Sequence, residues 1–461
     1  MKRTTALFLV LAVAASLALA APAAAVDASR WPFVGGLDPR FGSGGIAETP
    51  LSPTSQDRFL ATAVARDGKT YAAGFLAIGT DQVMALARVT PTGTLDNTFD
   101  GDGVAMVNVA VGGTTAELAR GMAVQSTGKI VVGGPMEHAP GAPGDAGRDT
   151  DISLTRFTVN GALDPTFGNA GTARIDLGPG SPISATQFRG DTMRGVTVLP
   201  NDKIVAVAAK RAPGSGRTDN DFALVMLTKD GALDTSFGTG GIVTIDISGG
   251  NETPHQAVVQ RNGKIVMVGY SSDTSGVVSP QLVRVNPNGT LDNSFGTGGI
   301  ATAKLLPQVA EAYDIGMQGN NFIIAGYGRD APTGTVDLIS ARFTSSGVWD
   351  QSFGTNGLVR VDIAGQDDRA RDLVVFPDGR VLLVGSGKPS ATNLDAMLVM
   401  LTRAGALDTS FDGDGILLVD LGGPADSFWG SALTRDLRAV VAGYKGADPT
   451  TGDNAVVARV R

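Results

Sequence analysis

Leu291-Asp-Asn-Ser-Phe-Gly-Thr-Gly-Gly299 decides the fold, because the same phrase returns along the chain at an almost fixed interval. Its Leu-Asp-x-x-Phe core stands at Leu37 to Phe41, Leu95 to Phe99, Leu163 to Phe167, Leu233 to Phe237, Leu291 to Phe295, Trp349 to Phe353 and Leu407 to Phe411. Successive Phe residues are 58, 68, 70, 58, 58 and 58 positions apart, so the chain is an array of near-identical units with two local insertions. A repeat of this period makes a propeller, a solenoid or an array. Within the phrase, Asp accepts hydrogen bonds from backbone N–H groups two or three residues on. Leu and Phe bracket that turn and bury, and the Gly residues permit the reversal into the next strand. The phrase is a structural corner.

Each unit holds four strand-like runs. In the second unit they read as Gly121 to Gln125, Ile130 to Gly133, Ile152 to Thr158 and, from the preceding phrase, Val104 to Val109. Most are nearly continuous in apolar residues, as strands covered on both faces are. A hairpin pair separates the first two runs: Asp67-Gly68, Thr127-Gly128, Asn201-Asp202, Asn262-Gly263, Gly319-Asn320, Asp378-Gly379 and the weaker Arg435-Asp436. The chain begins with one corner and strand (Leu37 to about Glu48) and ends with three strands (roughly Gly430 to Leu433, Ala439 to Tyr444 and Ala455 to Val460). The simplest closure adds the N-terminal strand to the C-terminal blade as its outer edge, which pairs edges otherwise left open. The expected fold is therefore all-β: a seven-bladed β-propeller of four-stranded blades. The first run of each unit is innermost, and small residues there (Ala61, Gly121, Gly195, Gly430) suit a crowded axis.

The recurrence of Leu-Asp-x-x-Phe-Gly-x-x-Gly in register from Leu37 to Arg461 resembles the delta-60 repeat family of exported bacterial β-propellers. That resemblance implies a propeller fold and export, and it brings no general activity and no catalytic residues. Trp349 replaces Leu, and Asp follows Phe99 and Phe411 where Gly is usual. A looser similarity to WD-repeat propellers lies in the Asp ahead of the third strand (Asp81, Asp151, Asp221, Asp337, Asp395, Asp453).

The N-terminus reads as an export signal, 1–25. Lys2 and Arg3 precede an apolar run from Ala6 to Ala20, and Ala23-Ala24-Ala25 suits cleavage before Val26. A short lead, 26–36, precedes the propeller, 37–461. No later stretch approaches the roughly 20 apolar residues of a membrane span. With no cysteine there are no disulfides, thiol nucleophiles or thiolate metal sites. Export removes two of the 37 basic residues and leaves 35 − 45 = −10. That charge disfavours nucleic acid, whose phosphates need clustered Lys and Arg.

Position counting from the residue after each hairpin pair (Lys69, Lys129, Lys203, Lys264, Asn321, Arg380, Arg438) separates scaffold from candidate site. Twelve positions earlier stand Asp57, Glu117, Asp191, Glu252, Val309, Asp368 and Asp426. A residue type shared by nearly every unit reads as a loop-closing hydrogen bond; the competing reading is a carboxylate ring for calcium or a basic partner. Nine positions earlier stand Leu60, Arg120, Arg194, His255, Ala312, Arg371 and Trp429, at the mouth of the channel, and here the residue type varies. Variation at a shared register marks a ligand site, so the candidate ligand-binding residues are Arg120, Arg194, His255, Arg371 and Trp429. The competing reading pairs each Arg with the acid three residues before it. The insertions between Gly133 and Asp151, with His138 and Arg148, and between Gly178 and Gly190, with the later loop of Lys210, Arg211 and Arg217, are expected on the same face.

Enzyme signatures are absent from the motifs. Two histidines cannot form His-Glu-x-x-His, no Gly-x-Ser-x-Gly occurs, and Gly68-Lys69-Thr70 belongs to a hairpin. Asp100-Gly101-Asp102-Gly103 and Asp412-Gly413-Asp414-Gly415 are turns without the later ligands of a calcium loop. No catalytic residue, metal ligand or cofactor is assigned. The sequence expectation is a secreted or periplasmic monomer acting as a binding or interaction module, its partner an anionic or carbohydrate polymer or another protein. The alternatives are a hydrolase or lyase working in the same channel, with Asp191 or Asp372 as base, and a structural envelope component.

Overall fold

The computed structural model describes residues 35–49, 51, 56–79, 81–109, 117–138, 149–178, 181–182, 188–211, 219–446 and 452–461. The export signal, most of the lead, Arg148 and Arg217 lie outside the described residues.

Regular structure among the described residues is all β-strand, in open antiparallel sheets that follow chain order. Asp57–Val64, Thr70–Ile78, Asp81–Val89 and Val104–Val107 form one sheet; Gly121–Val124, Ile130–His138, Asp149–Phe157 and Thr172–Ile175 form the next. Thr192–Val198, Ile204–Arg211, Asn220–Leu227 and Ile242–Ile245 form another, as do Arg369–Val375, Val381–Ser390, Asn393–Leu401 and Ile416–Val419. An eight-stranded sheet contains two such antiparallel sets joined by a single parallel pair, Val278 with Val309. Its first set is Glu252–Val259, Ile265–Ser272, Val278–Val285 and Ile300–Thr302; its second is Val309–Gln318, Asn321–Arg329, Asp337–Phe343 and Leu358–Val361.

A two-stranded sheet pairs Ser181–Pro182 with Phe188–Arg189, and the remaining four-stranded sheet is composite. Ser427–Leu433, Ala439–Lys445 and Asn454–Val460 take Ile46–Glu48 as their fourth strand, with Ile46 opposite Ala458, as the sequence implied. One assignment is corrected. Val104–Val107 pairs with Asp81–Val89, and the fourth strand of the Gly121 set is Thr172–Ile175, because each corner delivers its strand to the sheet it has just left.

The first strand of each set touches the first strands of the sets before and after it, and Asp57–Val64 touches Ser427–Leu433. Small residues permit that approach: a Cβ on Gly195 would lie 2.6 Å from the His255 carbonyl oxygen, and one on Gly121 2.7 Å from the Val196 nitrogen.

The corners explain the repeat. Asp292 accepts from Ser294 N (3.2 Å) and Ser294 Oγ (2.7 Å) through Oδ1, as the turn chemistry requires. Its Oδ2 accepts from Lys264 Nζ (2.6 Å) and Arg284 Nε (2.6 Å), and Arg284 lies 4.5 Å over the fully buried ring of Phe295. Arg284 also donates to Ser345 O at 2.7 Å, and Gly296 N to Ser346 O, which ties this corner to the following set of strands. The same Asp, basic residue and Phe recur at Asp96 with Lys69 and Arg88, Asp164 with Lys129 and Arg156, and Asp38 with Arg438 and Arg459. Burial alone would raise the Asp292 carboxyl; its bonds to Lys264 and Ser294 and the charge of Arg284 outweigh burial and hold it well below the usual carboxylate range.

Replacing Asp292 with Ala strands two cations, one of them buried. It is expected to cost about 3 kcal/mol in urea unfolding, the scale of a broken buried ion pair. Asp234→Ala is expected to cost less, because Met226 stands where the Arg would be and only the half-exposed Lys203 pairs with Asp234.

Candidate functional site

A backbone irregularity builds the site. In the first strands the register slips between Phe59 and Ala61, Met193 and Gly195, Pro254 and Gln256, Ala312 and Asp314, Ala370 and Asp372, and Phe428 and Gly430. Each slip is a β-bulge, an extra residue with no cross-strand partner that turns a side chain off the sheet face. The extra residues are Leu60, Arg194, His255, Tyr313, Arg371 and Trp429. Arg120 is the counterpart in the Gly121–Val124 set: its N–H donates to Gly133 O at 2.9 Å, and Gly133 is the residue opposite Gly121. All of these side chains line one cavity of about 290 Å³.

The structure thus brings together Arg120, Arg194, His255, Arg371 and Trp429, and corrects the count at one position. Tyr313 occupies the shared register, while Ala312 is fully buried opposite Gly326. The cause is the hairpin. Gln318 pairs directly with Asn321 across a two-residue turn, whereas Val259 pairs with Ile265 across a longer connection, so counting back from Asn321 overshoots by one.

Arg371 is clamped between rings, 4.8 Å from the Tyr313 centroid and 4.4 Å from that of Trp429. His255 packs on Tyr313 with centroids 4.0 Å apart and is 5% exposed. Burial, then the charges of Arg194, Arg371 and Arg120, push the imidazole well below its ordinary value, so it is neutral at neutral pH. Burial first, and then the like charges of Arg194 and Arg371, lower Arg120 to about 10. Arg194 Nε, His255 Nε2, Arg371 Nε and Trp429 Nε1 are buried without a hydrogen-bond partner.

One step further along the strands the cavity is lined by Gln256, Asp314 and Asp372. Asp314 and Asp372 are hydrogen-bonded to each other, which requires a shared proton; burial raises both carboxyls, most strongly Asp314. Asp314 Oδ2 accepts from Leu373 N at 2.9 Å. Asp372 accepts from Leu373 N (2.6 Å) and Ser431 Oγ (2.8 Å) through Oδ1, and from Ser431 N (3.0 Å) through Oδ2. The pair stitches three first strands together. Carboxylates in direct contact are closer than the about 5–9.5 Å that glycosidase acid and nucleophile or base pairs need.

Asp191, the other candidate base, is fully buried away from this cavity, where its Oδ2 accepts from Leu177 N at 2.5 Å. It behaves as the loop acids do generally. Asp57 accepts from Leu51 N, Glu117 from Val109 N, Glu252 from Ile247 N, Asp368 from Ile363 N and Lys388 N, and Asp426 from Leu421 N and Gly446 N. Loop closure is therefore their role. Asp151, Asp176 and Asp191, Asp337, Asp362 and Asp368, and Asp395, Asp420 and Asp426 form three carboxylate clusters, two of which are met by Arg174 and Arg360.

At the hairpin ends of the first strands a second cavity, about 780 Å³, is lined largely by aliphatic groups including Val64, Val124, Val198, Val259 and Met317. The first cavity is lined by three guanidiniums, whereas the second carries Arg66, Arg261 and Asp202 among its aliphatic residues. Of the inserted-loop residues, Lys210 and Arg211 end the Ile204–Arg211 strand, and His138 ends Ile130–His138.

Residues 65–99, 260–295 and 377–411 match the family described as "Domain of unknown function (DUF5122) beta-propeller". At these three stretches the chain is similar to a β-propeller repeat. Each match runs from the hairpin after a first strand to the Phe of a corner. No curated protein matches the sequence. Among solved structures, the chain is similar to a protein of unknown function from Dyadobacter fermentans (10% identity, 90% of this chain and 100% of that one, TM-score 0.41). It is also similar to the polysaccharide lyase Uly1 (11%, 88% and 90%, TM-score 0.46) and to Trypanosoma rangeli sialidase (9%, 90% and 56%, TM-score 0.41). These are distant likenesses, and nothing about a ligand follows from them.

The loop acids set a pH dependence. Burial, against the backbone bonds from Ile363 and Lys388, raises Asp368 to about 7. Between about pH 4 and 7 the folded state then holds a proton that the unfolded state has released, so this group's contribution to stability is full below pH 4 and is lost as pH rises to 7. Asp368→Asn is expected to flatten that decline. Urea unfolding of both proteins at pH 4 and pH 7 measures it; parallel pH profiles would contradict the assignment.

Proposed function

We propose that the chain is an exported, monomeric, seven-bladed β-propeller that works as a binding module, and that the bulge-lined cavity receives the anionic group of its ligand, an acidic glycan. The three unpartnered donors Arg194 Nε, Arg371 Nε and Trp429 Nε1 carry this reading. Arginine and tryptophan nitrogens only donate, so the complement of this cavity is a group that only accepts. A buried donor left without an acceptor costs about 1–3 kcal/mol, which an arriving oxyanion recovers. The chain is net acidic at −8, so the cationic lining is local to this cavity.

The cyclic contact of the first strands, together with Ile46–Glu48 completing the final sheet, supports seven blades. Lys2, Arg3 and the apolar run to Ala20 support export, to periplasm or medium. No helix among the described residues is long and apolar enough to cross a membrane. Binding is favoured over hydrolysis or elimination because Asp372, the carboxylate at the site, is held by Asp314, Leu373 and Ser431.

Calorimetric titration with acidic oligosaccharides is expected to show binding that weakens by about 100-fold in Arg194→Ala/Arg371→Ala, the loss of two charged hydrogen bonds at about 1.5 kcal/mol each. Unchanged affinity in a folded double variant would overturn the placement. Closure has its own test: removing Ala455 to Arg461 deletes the strand that joins Ile46–Glu48 to the last sheet, and is expected to lower Tm by on the order of 10 °C. A truncated chain that melts with the full one would contradict closure.

A further inference from the structure

The donors of the cavity approach from all around the channel. Arg120 and Arg194 come from adjoining sets, His255 from the set after them, and Arg371 and Trp429 from two adjoining sets across the channel. A carboxylate carries its two oxygens in one plane and is met best by a single guanidinium fork from one side. A tetrahedral oxyanion ester spreads three oxygens around its axis, so donors converging from every side reach an acceptor at once.

Charge points the same way. The guanidiniums of Arg120, Arg194 and Arg371 face the cavity, against two buried carboxyls, Asp314 and Asp372, that are hydrogen-bonded to each other. The lining is therefore net cationic, the complement of an anionic group. Arg371 is already oriented by the rings on either side of it, at 4.8 and 4.4 Å, so little ordering is needed when an anion arrives. Tyr313 and Trp429 are positioning residues for that guanidinium, and their facing rings are occupied by it. The volume, about 290 Å³, lies at the small end of ligand sites, which admits one terminal group and not a polymer lying lengthwise.

We propose that the cavity recognises a phosphate or sulfate monoester at the end of its ligand, seated on the channel axis among Arg120, Arg194, His255, Arg371 and Trp429. This rests on the anion-site reading and narrows it from any acidic glycan to a phosphorylated or sulfated terminus.

The test is titration calorimetry of the folded chain at pH 7.5 with glucose 6-phosphate, glucose 6-sulfate, glucuronate and glucose. Glucose 6-phosphate is expected to bind at least tenfold tighter than glucuronate, with glucose 6-sulfate between them, as its single charge requires, and glucose not bound. Glucose 6-sulfate binding tighter than the phosphate would assign the site to sulfate and overturn the expected preference for the doubly charged ester. Glucuronate binding as tightly as either ester would overturn the tetrahedral selectivity and leave an anion site standing. No anion binding at all would overturn both. Trp429→Leu separates positioning from folding: it is expected to keep the melting temperature within a few degrees while weakening the phosphate about tenfold and shrinking its advantage over glucuronate. Unchanged selectivity would remove Trp429 from the site. Arg194→Lys, which keeps the charge and loses the fork, is expected to weaken the phosphate by a similar factor, and no change would remove Arg194.

Discussion

A buried carboxylate that holds two cations organises four of the corners, at Asp38, Asp96, Asp164 and Asp292, and Asp292 shows why it cannot be spared. The same side chain caps the turn through Ser294 and holds Lys264, just before the second strand, and Arg284 from the third. Through Arg284 it also reaches Ser345, just past the third strand of the following set. Turn, sheet and seam therefore share one group, and a repeat lacking it would lose all three. Met226 and Met400 replace the arginine at two corners, where Lys203 and Arg380 carry the pairing alone.

Because the corners carry the architecture, the first strands have freedom elsewhere. A bulged residue has no partner across the ladder, and its identity is not constrained by pairing or by the sheet-to-sheet core. The same irregularity in successive sheets therefore yields Leu60, Arg120, Arg194, His255, Tyr313, Arg371 and Trp429 without altering the scaffold. The residue after the bulge is constrained where first strands meet, hence Ala61, Gly121, Gly195 and Gly430. It becomes polar only at Gln256, Asp314 and Asp372. Scaffold and site thus occupy adjacent registers of one strand and obey different rules.

That division also governs what the sequence made legible. The corners, the strand order and the closing strand follow from local chemistry repeated at a fixed period, and all are visible in Leu-Asp-x-x-Phe and the hairpin pairs. Arg120, Arg194, His255, Arg371 and Trp429 could be read as one site because a shared register varied. Tyr313 escaped because a single two-residue turn at Gly319-Asn320 shifts the count, a difference of backbone geometry that residue types alone hardly mark. The Asp314–Asp372 contact joins strands in different repeats and depends on a proton, so no local pattern announces it. Trp429 was legible as an aromatic at a rim. That it holds Arg371, and does not offer its face to a sugar, is a matter of three-dimensional packing.

The most direct measurement is a crystal structure of the chain grown with tungstate, located by its anomalous signal. Tungstate on the channel axis, within hydrogen-bond reach of Arg194 Nε, Arg371 Nε and Trp429 Nε1, is the predicted result. Tungstate bound elsewhere, with these nitrogens bonded to protein groups, would contradict the account.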